Sequence, residues 1–230
     1  MPRPVWLPSF GGMKALITGA SRGLGRALAR SLIEAGWDVI ADARDGTALA
    51  AALPEAVTVP GDITSASHRS VLAAAVGDRL DLLVNNAGTL GAAPLPALAD
   101  YPLAELRAAL EANLLAPLAL TQLLLPALLA SDGAVLNVTS DAAVEPYPGW
   151  GGYGATKAAL EQASAVLAAE KPGVLVWRVD PGDLRTDMHQ AAFPGANISD
   201  RPLPETVTPA LLKLITRRPP SGRYTIGDLS

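Results

Sequence analysis

The sequence predicts an α/β protein with a doubly wound parallel sheet of about seven strands and helices on both of its faces. Two observations predict this class. Short runs rich in Val, Leu and Ile alternate along the chain with longer stretches rich in Ala and Leu, as in successive βαβ units. The short runs are apolar throughout, which is typical of strands that are covered on both faces.

Strands and helices follow in alternation from these patterns. The strands are predicted at residues 14–18, 38–42, 57–60, 81–85, 134–138, 174–180 and 224–227. The helices are predicted at residues 23–35, 47–53, 65–76, 103–130, 153–170 and 205–217. No internal repeat or linker interrupts this order, so we expect a single domain over residues 13–230. Residues 1–12 hold three prolines and no apolar signal segment, so we expect a flexible extension, and Met13 could be the natural start.

The composition excludes several classes of protein. Half of the residues are apolar, 17% are charged and the net charge is −4, which excludes a disordered chain and a basic nucleic-acid-binding protein. The absence of cysteine excludes disulfides and fits a reducing cytoplasm, where we expect the protein. Two histidines, His68 and His189, cannot build a multi-histidine centre, so no metal is expected. The apolar run at 114–130 contains Pro117 and Pro126, which favours a buried helix over a membrane span.

A glycine-rich turn joins the first predicted strand to the first predicted helix. Its sequence, from Thr18 to Gly25, is TGASRGLG. Glycines without a Cβ allow a tight turn whose backbone approaches a diphosphate, and the following helix directs its N-terminus at that negative charge. A strand before the turn and a helix after it are the setting that dinucleotide binding requires. The segment therefore predicts a Rossmann-type dinucleotide site.

The glycine spacing is GxxxGxG, and with it the sequence resembles the short-chain dehydrogenase/reductase family. Further motifs of that family follow: the NNAG element at 85–88, the acidic Asp62 after the third strand, and the segment PGDLRT at 181–186. The resemblance covers about residues 13–190 and implies the strand order 3-2-1-4-5-6-7 with a nicotinamide cofactor. It implies a cofactor site formed by Gly19, Ser21, Arg22, Gly23, Leu24, Gly25, Arg44, Asp62, Ile63, Asn86, Ala87, Gly88, Tyr153, Lys157, Pro181, Gly182, Leu184 and Thr186.

A candidate catalytic set is spread over three predicted elements. Tyr153 and Lys157 are four residues apart in one helix and project from the same face. Ser140 stands at the end of the fifth strand, at the sheet edge where α/β proteins bind ligands. The resemblance implies that these three residues and Asn113 form the active site. Thr139 is a rival hydroxyl, but strand alternation turns it to the other side, and we expect a structural role for it.

The residue types suit carbonyl reduction. Tyrosine titrates near pH 10 and is a usable acid at neutrality. We expect the Lys157 ammonium, together with an oxidised nicotinamide, to lower the pKa of Tyr153. Ser140 would hydrogen-bond the substrate oxygen. From the family resemblance, Lys157 also holds the nicotinamide ribose, and Asn113 holds a water that passes protons to solvent.

The substrate pocket is less clearly marked. Tyr147 and Trp150 lie in a loop between the catalytic serine and tyrosine, and we expect them to line the pocket, although Trp150 could instead pack on a neighbouring subunit. The segment 187–204 would form an abbreviated lid that contributes Met188 and Phe193. We expect His189, in the same loop, to lie at the surface.

The residues at the end of the second strand predict which nicotinamide cofactor is preferred. Counted from Gly25, the position that reads the ribose 2′ group falls on Ala43, which has neither acceptor nor charge. Arg44 follows it, and Arg22 in the glycine-rich turn can approach the same 2′-phosphate. We therefore expect NADP(H) to be preferred, with NAD(H) possible if Asp42 reads the ribose instead. A one-residue shift of register decides between the two.

These observations predict an NADP(H)-dependent reductase of a small carbonyl compound. The alternatives are a pterin reductase similar to sepiapterin reductases, a 3-oxoacyl-thioester reductase, which the short lid disfavours, and a catalytically silent NADP(H) sensor. No nucleic-acid or membrane partner is expected. The apolar surface of the helix at 103–130 and the alanines of the helix at 153–170 predict a homo-oligomer, at least a dimer.

Overall fold

The computed structural model describes residues 12–229. Seven strands form one parallel sheet in the order β3-β2-β1-β4-β5-β6-β7, so the predicted fold class and strand order are confirmed. The strands are β1 (Lys14–Ile17), β2 (Asp38–Ala43), β3 (Val57–Pro60), β4 (Leu82–Asn85), β5 (Ala134–Val138), β6 (Leu175–Asp180) and β7 (Gly222–Thr225). The helices are α1 (Gly23–Glu34), α2 (Gly46–Ala52), α3 (Ala66–Val76), α4 (Leu103–Leu110), α5 (Ala116–Leu129), α6 (Gly151–Glu170), α7 (Asp187–Ala192) and α8 (Thr208–Arg217). The extension predicted at residues 1–12 lies, apart from Gly12, outside the described residues.

Each face of the sheet packs against its own group of helices. Leucines of α1, α2 and α8 pack on one face, where Trp177 of β6 is fully buried. Leucines of α3 and α5 pack on the other face against alternate residues of the same strands. Because the central strands β1, β4 and β5 are covered on both faces, they are apolar along most of their length, as the sequence indicated.

Parallel pairing brings the carboxyl ends of the strands to one edge of the sheet. The register pairs Ile17 with Val84, Asn85 with Asn137, and Val138 with Val179. The segments that follow β1, β4, β5 and β6 therefore leave the sheet side by side. This is the edge at which open α/β sheets bind ligands.

Three differences from the sequence-based prediction have a clear physical reason. The helix predicted at 103–130 contains a π-helical turn at Glu111–Leu115 between α4 and α5, which an apolar pattern cannot reveal. Strand β7 begins two residues earlier than predicted, since all four of its residues are only half-buried and give no apolar run. Helix α7 was not predicted, because its six residues are too few for a helical pattern to register.

The stretch Leu103–Leu129 is the one helix among the described residues that is long and apolar enough to cross a membrane. Its α5 part packs on α3, β4 and β5, and Leu120, Leu124 and Leu128 are buried there. Its apolar character therefore belongs to the interior of the fold. Within residues 12–229, no group of three or more His, Cys, Asp or Glu side chains is placed to hold a metal ion.

Candidate active site

The glycine-rich turn between β1 and α1 packs closely against the segment that follows β4. A Cβ on Gly25 would lie 2.6 Å from the Gly19 carbonyl oxygen and 2.5 Å from the Asn86 amide nitrogen. A Cβ on Gly19 would lie 2.9 Å from the Ala87 Cα. Gly19 and Gly23 have φ values of +66° and +56°, which residues with a side chain rarely adopt. Glycine is therefore required for this turn to approach both its neighbour and a ligand.

The first turn of α1 is open to an anion. Its N-cap residue, Arg22, makes no side-chain hydrogen bond to the helix, so the first backbone N–H groups can be donated to a diphosphate. The Arg22 guanidinium forms an ion pair with Asp187 at 3.0 Å, and both side chains are largely exposed. A Cβ on Gly23 would lie 3.5 Å from the Thr186 methyl group. The segment after β6 therefore borders the same opening.

At the end of β2, Asp42 and Arg44 lie in different surroundings. Asp42 is buried, and its carboxylate accepts the Gly19 N–H at 3.2 Å and lies 2.5 Å from Nε2 of His68. Burial raises the pKa of Asp42, and the hydrogen bond with His68 opposes that rise. These contacts hold Asp42 beneath the glycine-rich turn. Ala43 ends the strand, and Arg44 beyond it is exposed and forms no ion pair with any described residue.

Asp62 lies in the exposed turn after β3. Its Oδ1 accepts hydrogen bonds from the Thr64 N–H at 2.9 Å and from the Thr64 hydroxyl at 2.8 Å. These bonds, and to a smaller extent the Arg44 charge, hold the pKa of Asp62 below its usual range. The side chain therefore stays an anion beside the Arg44 guanidinium. Ile63 next to it is buried and anchors the turn.

The segment after β6 closes the other end of the candidate cofactor groove. The Gly182 N–H is donated to Oδ1 of Asp180 at 3.0 Å, and Gly182 has a φ of +73°. Thr186 caps α7 by accepting the His189 N–H at 3.2 Å. Leu184 is buried between them. The remaining residues predicted for the cofactor lie in the segments that leave this edge: Ser21, Leu24, Pro181 and Gly88.

Three predicted catalytic side chains converge where β5 ends. Tyr153 and Lys157 are buried in the first turns of α6, with the Lys157 Nζ 5.6 Å from the centre of the Tyr153 ring. The same Nζ donates a hydrogen bond to the Val138 carbonyl at 2.8 Å and so ties α6 to β5. Ser140 follows β5, and its hydroxyl is close enough to Tyr153 to lower the pKa of the phenol.

Asn113 connects the same centre to the segment after β4. It is fully buried in the π-helical turn. Its amide donates to the Thr89 carbonyl at 2.8 Å and to the Thr156 hydroxyl at 2.9 Å, and its Oδ1 accepts the Thr89 N–H at 2.8 Å. A Cβ on Gly88 would lie 3.1 Å from that Oδ1 and 3.7 Å from the Lys157 Nζ. Both amide hydrogens of Asn113 are therefore used within the protein.

The pKa values of the catalytic pair depart from the expectation. Burial raises the pKa of Tyr153, the charges of Asp180 and Asp141 raise it further, and only the contact with Ser140 opposes them. Lys157 is not among the groups that shift this pKa, so the lowering expected from its ammonium is not found. Burial also lowers the pKa of Lys157 to about 8. The physical reason is common to both groups: each is removed from water, which disfavours its charged form.

Aromatic rings line the substrate side of Tyr153. The Trp150 ring meets the Tyr153 ring edge-on, with 5.7 Å between the ring centres, and lies 6.0 Å from the Phe193 ring. Tyr147 is exposed, and its hydroxyl donates to Oδ2 of Asp141 at 3.1 Å. The pKa of Tyr147 is raised, chiefly by that bond and by the Asp141 charge. The structure thus brings Trp150 to Tyr153 and Phe193 to Trp150, and leaves Tyr147 exposed.

Helix α7 corrects the prediction for His189. The histidine is buried, not at the surface, and its ring packs 4.9 Å from the centre of the Phe193 ring. The loop expected at this position is a short helix, and that helix turns His189 inward. Its Nδ1 lies 3.7 Å from a carboxylate oxygen of Asp183. Met188, the preceding residue, is exposed.

A shallow cavity of about 380 Å³ opens beside α7. Its walls are residues 185–187, Gln190 and residues 196–199. Thr186 is the one residue that it shares with the predicted cofactor site. The cavity therefore belongs to the lid, at one side of the catalytic centre.

Sequence reasoning missed several groups around the catalytic residues. Asp141 follows Ser140 directly, and its carboxylate accepts a hydrogen bond from the Ser140 hydroxyl at 2.9 Å. Its position next to Ser140 in the sequence could have indicated this contact. Arg223 of β7 lies 3.1 Å from Asp180 and 3.1 Å from the buried Glu161 of α6. These pairs join residues 43 and 62 positions apart, so no local pattern indicates them.

The fold and this constellation of side chains define an oxidoreductase that uses a nicotinamide dinucleotide. The sequence profile of the short chain dehydrogenase family matches residues 13–197. The chain belongs to that family, and it is an NAD(P)-dependent dehydrogenase/reductase.

Several known proteins are similar to the chain. Serine 3-dehydrogenase of Agrobacterium fabrum strain C58 is 40% identical over 182 residues, which cover 75% of this chain and 72% of the relative. Sepiapterin reductase of Meriones unguiculatus is 38% identical over 199 residues, covering 77% and 76%. A short chain dehydrogenase from Shigella flexneri 2a strain 301, solved in complex with NADP, superposes with a TM-score of 0.89 at 27% identity, over 96% of this chain and 99% of the other.

Proposed function

We propose that the protein uses NADP(H) to reduce a small carbonyl compound to an alcohol, or catalyses the reverse, with Tyr153 as the acid and base. The observation that carries this proposal is the convergence of Ser140, Tyr153 and Lys157 at the edge that also bears the glycine-rich turn. When bound, the nicotinamide supplies or accepts the hydride. The side chains then act on the substrate oxygen, where negative charge develops during reduction.

Tyr153 gives its proton to that oxygen during reduction. Because burial raises its pKa, the phenol is fully protonated at neutral pH, which is the form that reduction needs. In the direction of alcohol oxidation the phenol must first lose this proton. The Lys157 ammonium, 5.6 Å from the ring centre, favours the phenolate by its charge.

Ser140, Lys157 and Asn113 support this proton transfer. The Ser140 hydroxyl donates to the substrate oxygen once it turns from Asp141, and so stabilises the developing charge. Lys157 turns from the Val138 carbonyl to the nicotinamide ribose. Asn113 holds a water that returns protons to Lys157. Because the amide hydrogens of Asn113 are donated to Thr89 and Thr156, a carbonyl oxygen of Asn113 accepts the hydrogen bond from that water.

The preference for NADP(H) rests on the end of β2. Asp42, which would read ribose hydroxyls in an NAD-using enzyme, is occupied by Gly19 and His68. Arg44 is exposed and unpaired among the described side chains, which suits a 2′-phosphate. Arg22 can join it by leaving its exposed pair with Asp187. The Shigella relative was solved with NADP, which agrees with this choice.

A pterin is the second candidate substrate. The similarity to sepiapterin reductase over 199 residues favours it, and the aromatic pair of Trp150 and Phe193 offers a surface on which a flat ring could stack. Reduction of a 3-oxoacyl thioester is disfavoured by the short lid. A silent NADP(H) sensor is a further alternative, and it is separated from the enzyme by the experiment below.

The test replaces Tyr153 with Phe, which removes one hydroxyl and keeps the ring. We expect kcat to fall by about 100-fold or more, the usual contribution of a general acid, while the Kd for NADPH stays within about twofold because the lost bond belongs to the transition state. The assay is NADPH consumption with a panel of aldehydes, diketones and pterins. Tight NADPH binding by the parent with no consumption across the panel identifies the sensor, and a variant that keeps more than about a tenth of the rate excludes Tyr153 as the acid.

We also propose that residues 13–230 act as one dehydrogenase domain in the cytoplasm, assembled at least as a dimer. Leu115, Leu123, Leu129 and Val166 are 43% to 47% exposed on the helices at 103–130 and 153–170, which leaves an apolar surface for a second copy. A mass in solution near that of one 23.6 kDa chain contradicts the dimer.

A further inference from the structure

Asp141 is an anionic group at the catalytic serine. Its Oδ1 accepts the Ser140 hydroxyl at 2.9 Å and the Ala142 N–H at 2.8 Å, and its Oδ2 accepts the Tyr147 hydroxyl at 3.1 Å. A carboxylate has about four acceptor positions. Oδ2, whose one recorded partner is the Tyr147 hydroxyl, therefore keeps one position for a further donor. The side chain is half-buried, so an ionic contact there is stronger than at an open surface.

No cation of the described residues lies within ion-pair distance of Asp141. The nearest arginines already serve other carboxylates: Arg223 pairs with Asp180 and Glu161. On the lid, Arg201 pairs with Asp183. Asp141 itself is hydrogen-bonded by neutral donors only, and the Arg223 guanidinium donates at 3.5 Å to the Ser140 carbonyl, not to Asp141. A carboxylate held in this way favours a positively charged group on a ligand.

A cluster of aromatic rings is linked to Asp141 through Tyr147 and Tyr153. Trp150 meets Tyr153 edge-on and lies 6.0 Å from Phe193, and the Trp150 N–H is donated to the carbonyl of Tyr147 at 3.1 Å, the residue whose hydroxyl binds Asp141. Aromatic faces attract ammonium groups through the ring quadrupole. A carboxylate with no cation of its own and a nearby pair of rings are the two elements of an ammonium site.

We propose that Asp141 is a specificity-determining residue that binds a protonated amino group on the carbon next to the reacting carbon. The substrate class is then a vicinal amino alcohol or the α-amino ketone derived from it. The position follows from Ser140, which holds the reacting oxygen: Asp141 lies one hydrogen bond beyond that hydroxyl, and a nitrogen on the neighbouring carbon lies at a similar distance from the reacting oxygen. The inference rests on the function proposed above.

The chemistry leaves the amino group unchanged. In oxidation, the carbinol C–H bond breaks and its hydride passes to NADP⁺, while the hydroxyl proton passes to Tyr153 and the C=O bond forms. The C–N bond is neither made nor broken. The ammonium contributes binding energy and orientation, through Asp141, to the carbon at which the hydride leaves.

The experiment compares three alcohols that differ in one group: 1-amino-2-propanol, 2-butanol and 3-hydroxybutanoate, which are cationic, neutral and anionic. We expect the parent enzyme to oxidise the amino alcohol with a kcat/KM at least about tenfold above that of 2-butanol, the size of one charge-assisted hydrogen bond. In the Asp141→Asn variant that ratio falls about tenfold, and 3-hydroxybutanoate improves relative to 2-butanol. The Asn side chain still offers an oxygen that can accept the Ser140 hydroxyl. The quantity to compare is therefore the ratio of kcat/KM for the amino alcohol to that for 2-butanol, and not the absolute rate.

Glu145→Gln is the matched control, because it removes an exposed carboxylate from the same loop. We expect it to leave the ratio unchanged. Equal use of the three alcohols by the parent, an unchanged ratio in Asp141→Asn, or an equal loss in Glu145→Gln overturns the ammonium site while the proposed function stands. Oxidation of none of them by the parent, with no carbonyl compound reduced either, overturns the proposed function and this inference with it.

Discussion

The two sides of the active-site edge are built by different means. On the cofactor side, backbone packs on backbone: the Gly25 Cα leaves no room for a side chain against the Gly19 carbonyl, and the buried Asp42 holds the turn from below. On the substrate side, the walls are side chains from separate loops, and Phe193 is 40% exposed. On the cofactor side, close backbone packing fixes the shape of the ligand that can bind. On the substrate side, single substitutions can change which ligand binds.

The largest expected effect on the cofactor side is that of a substitution at Gly25. A Cβ in the Gly25→Ala variant would lie 2.6 Å from the Gly19 carbonyl oxygen, so the backbone of the turn must shift. Overpacking of this kind costs about 1–3 kcal/mol, and we expect the Kd for NADPH to rise by about 100-fold. Fluorescence titration measures the Kd, and thermal unfolding shows whether the fold survives.

Gly227→Ala is the control for this change, since its Cβ would lie 3.5 Å from the Thr225 hydroxyl, an ordinary contact. We expect it to bind NADPH as the parent does. Unchanged affinity in Gly25→Ala shows that the turn adapts, and the proposed contrast between a rigid cofactor side and an adaptable substrate side is then wrong.

The same contrast explains what the sequence could predict. The glycine spacing and the apolar strands are local patterns, and they led to the correct fold class and to β3 and β5 at their observed bounds. The strand order, which is also correct, was implied by the family resemblance. The candidate catalytic residues Ser140, Tyr153 and Lys157 were predicted from their spacing together with the family resemblance, and the fold brings them close together. Each of these signals lies within one element or its immediate neighbour.

The remainder depends on contacts between distant segments. The buried state of His189 follows from packing against Phe193 in a helix of six residues, which is too short to leave a periodic pattern. The raised pKa of Tyr153 follows from burial and from Asp180, and neither is visible until β6 and α6 are placed together. The occupation of Asp42 by His68 joins residues 26 positions apart.

The Arg44→Ala variant tests the cofactor side at a position where a side chain, not the backbone, is proposed to bind the 2′-phosphate. Arg44→Ala removes an exposed guanidinium that forms no ion pair within the described residues and acts on Asp62 only through its charge, so little stability should be lost. We expect kcat/KM with NADPH to fall about tenfold and that with NADH to stay nearly constant, as for the loss of one charge-assisted hydrogen bond. Steady-state kinetics with both cofactors measures the change. A parent enzyme that uses NADH as well as NADPH contradicts the assigned register.

The smallest expected effect concerns Arg223, which couples β7 to the catalytic centre. Its guanidinium lies 3.1 Å from Asp180, and the Asp180 charge is one of the causes that raise the pKa of Tyr153. In Arg223→Met the carboxylate loses its counter-charge, so the phenolate is disfavoured further and the pKa of Tyr153 rises. Alcohol oxidation uses the phenolate and increases as pH rises through that pKa. Its pH profile should therefore move to higher pH, by about half a unit, which is about a threefold lower rate at a fixed pH on the limb.

Arg223→Lys separates this electrostatic effect from a loss of packing. Lysine keeps the positive charge near Asp180 but loses the guanidinium that also reaches Glu161. If the charge determines the pH profile of alcohol oxidation, the rate in Arg223→Lys rises at nearly the same pH as in the parent, even where the thermal stability of the variant stays lower. If β7 merely supports the sheet, the two variants lose stability together and neither moves the limb. A shift to lower pH in Arg223→Met contradicts the assignment of Asp180 as a group that holds the proton on Tyr153, because removal of a cation can only strengthen the field of that carboxylate.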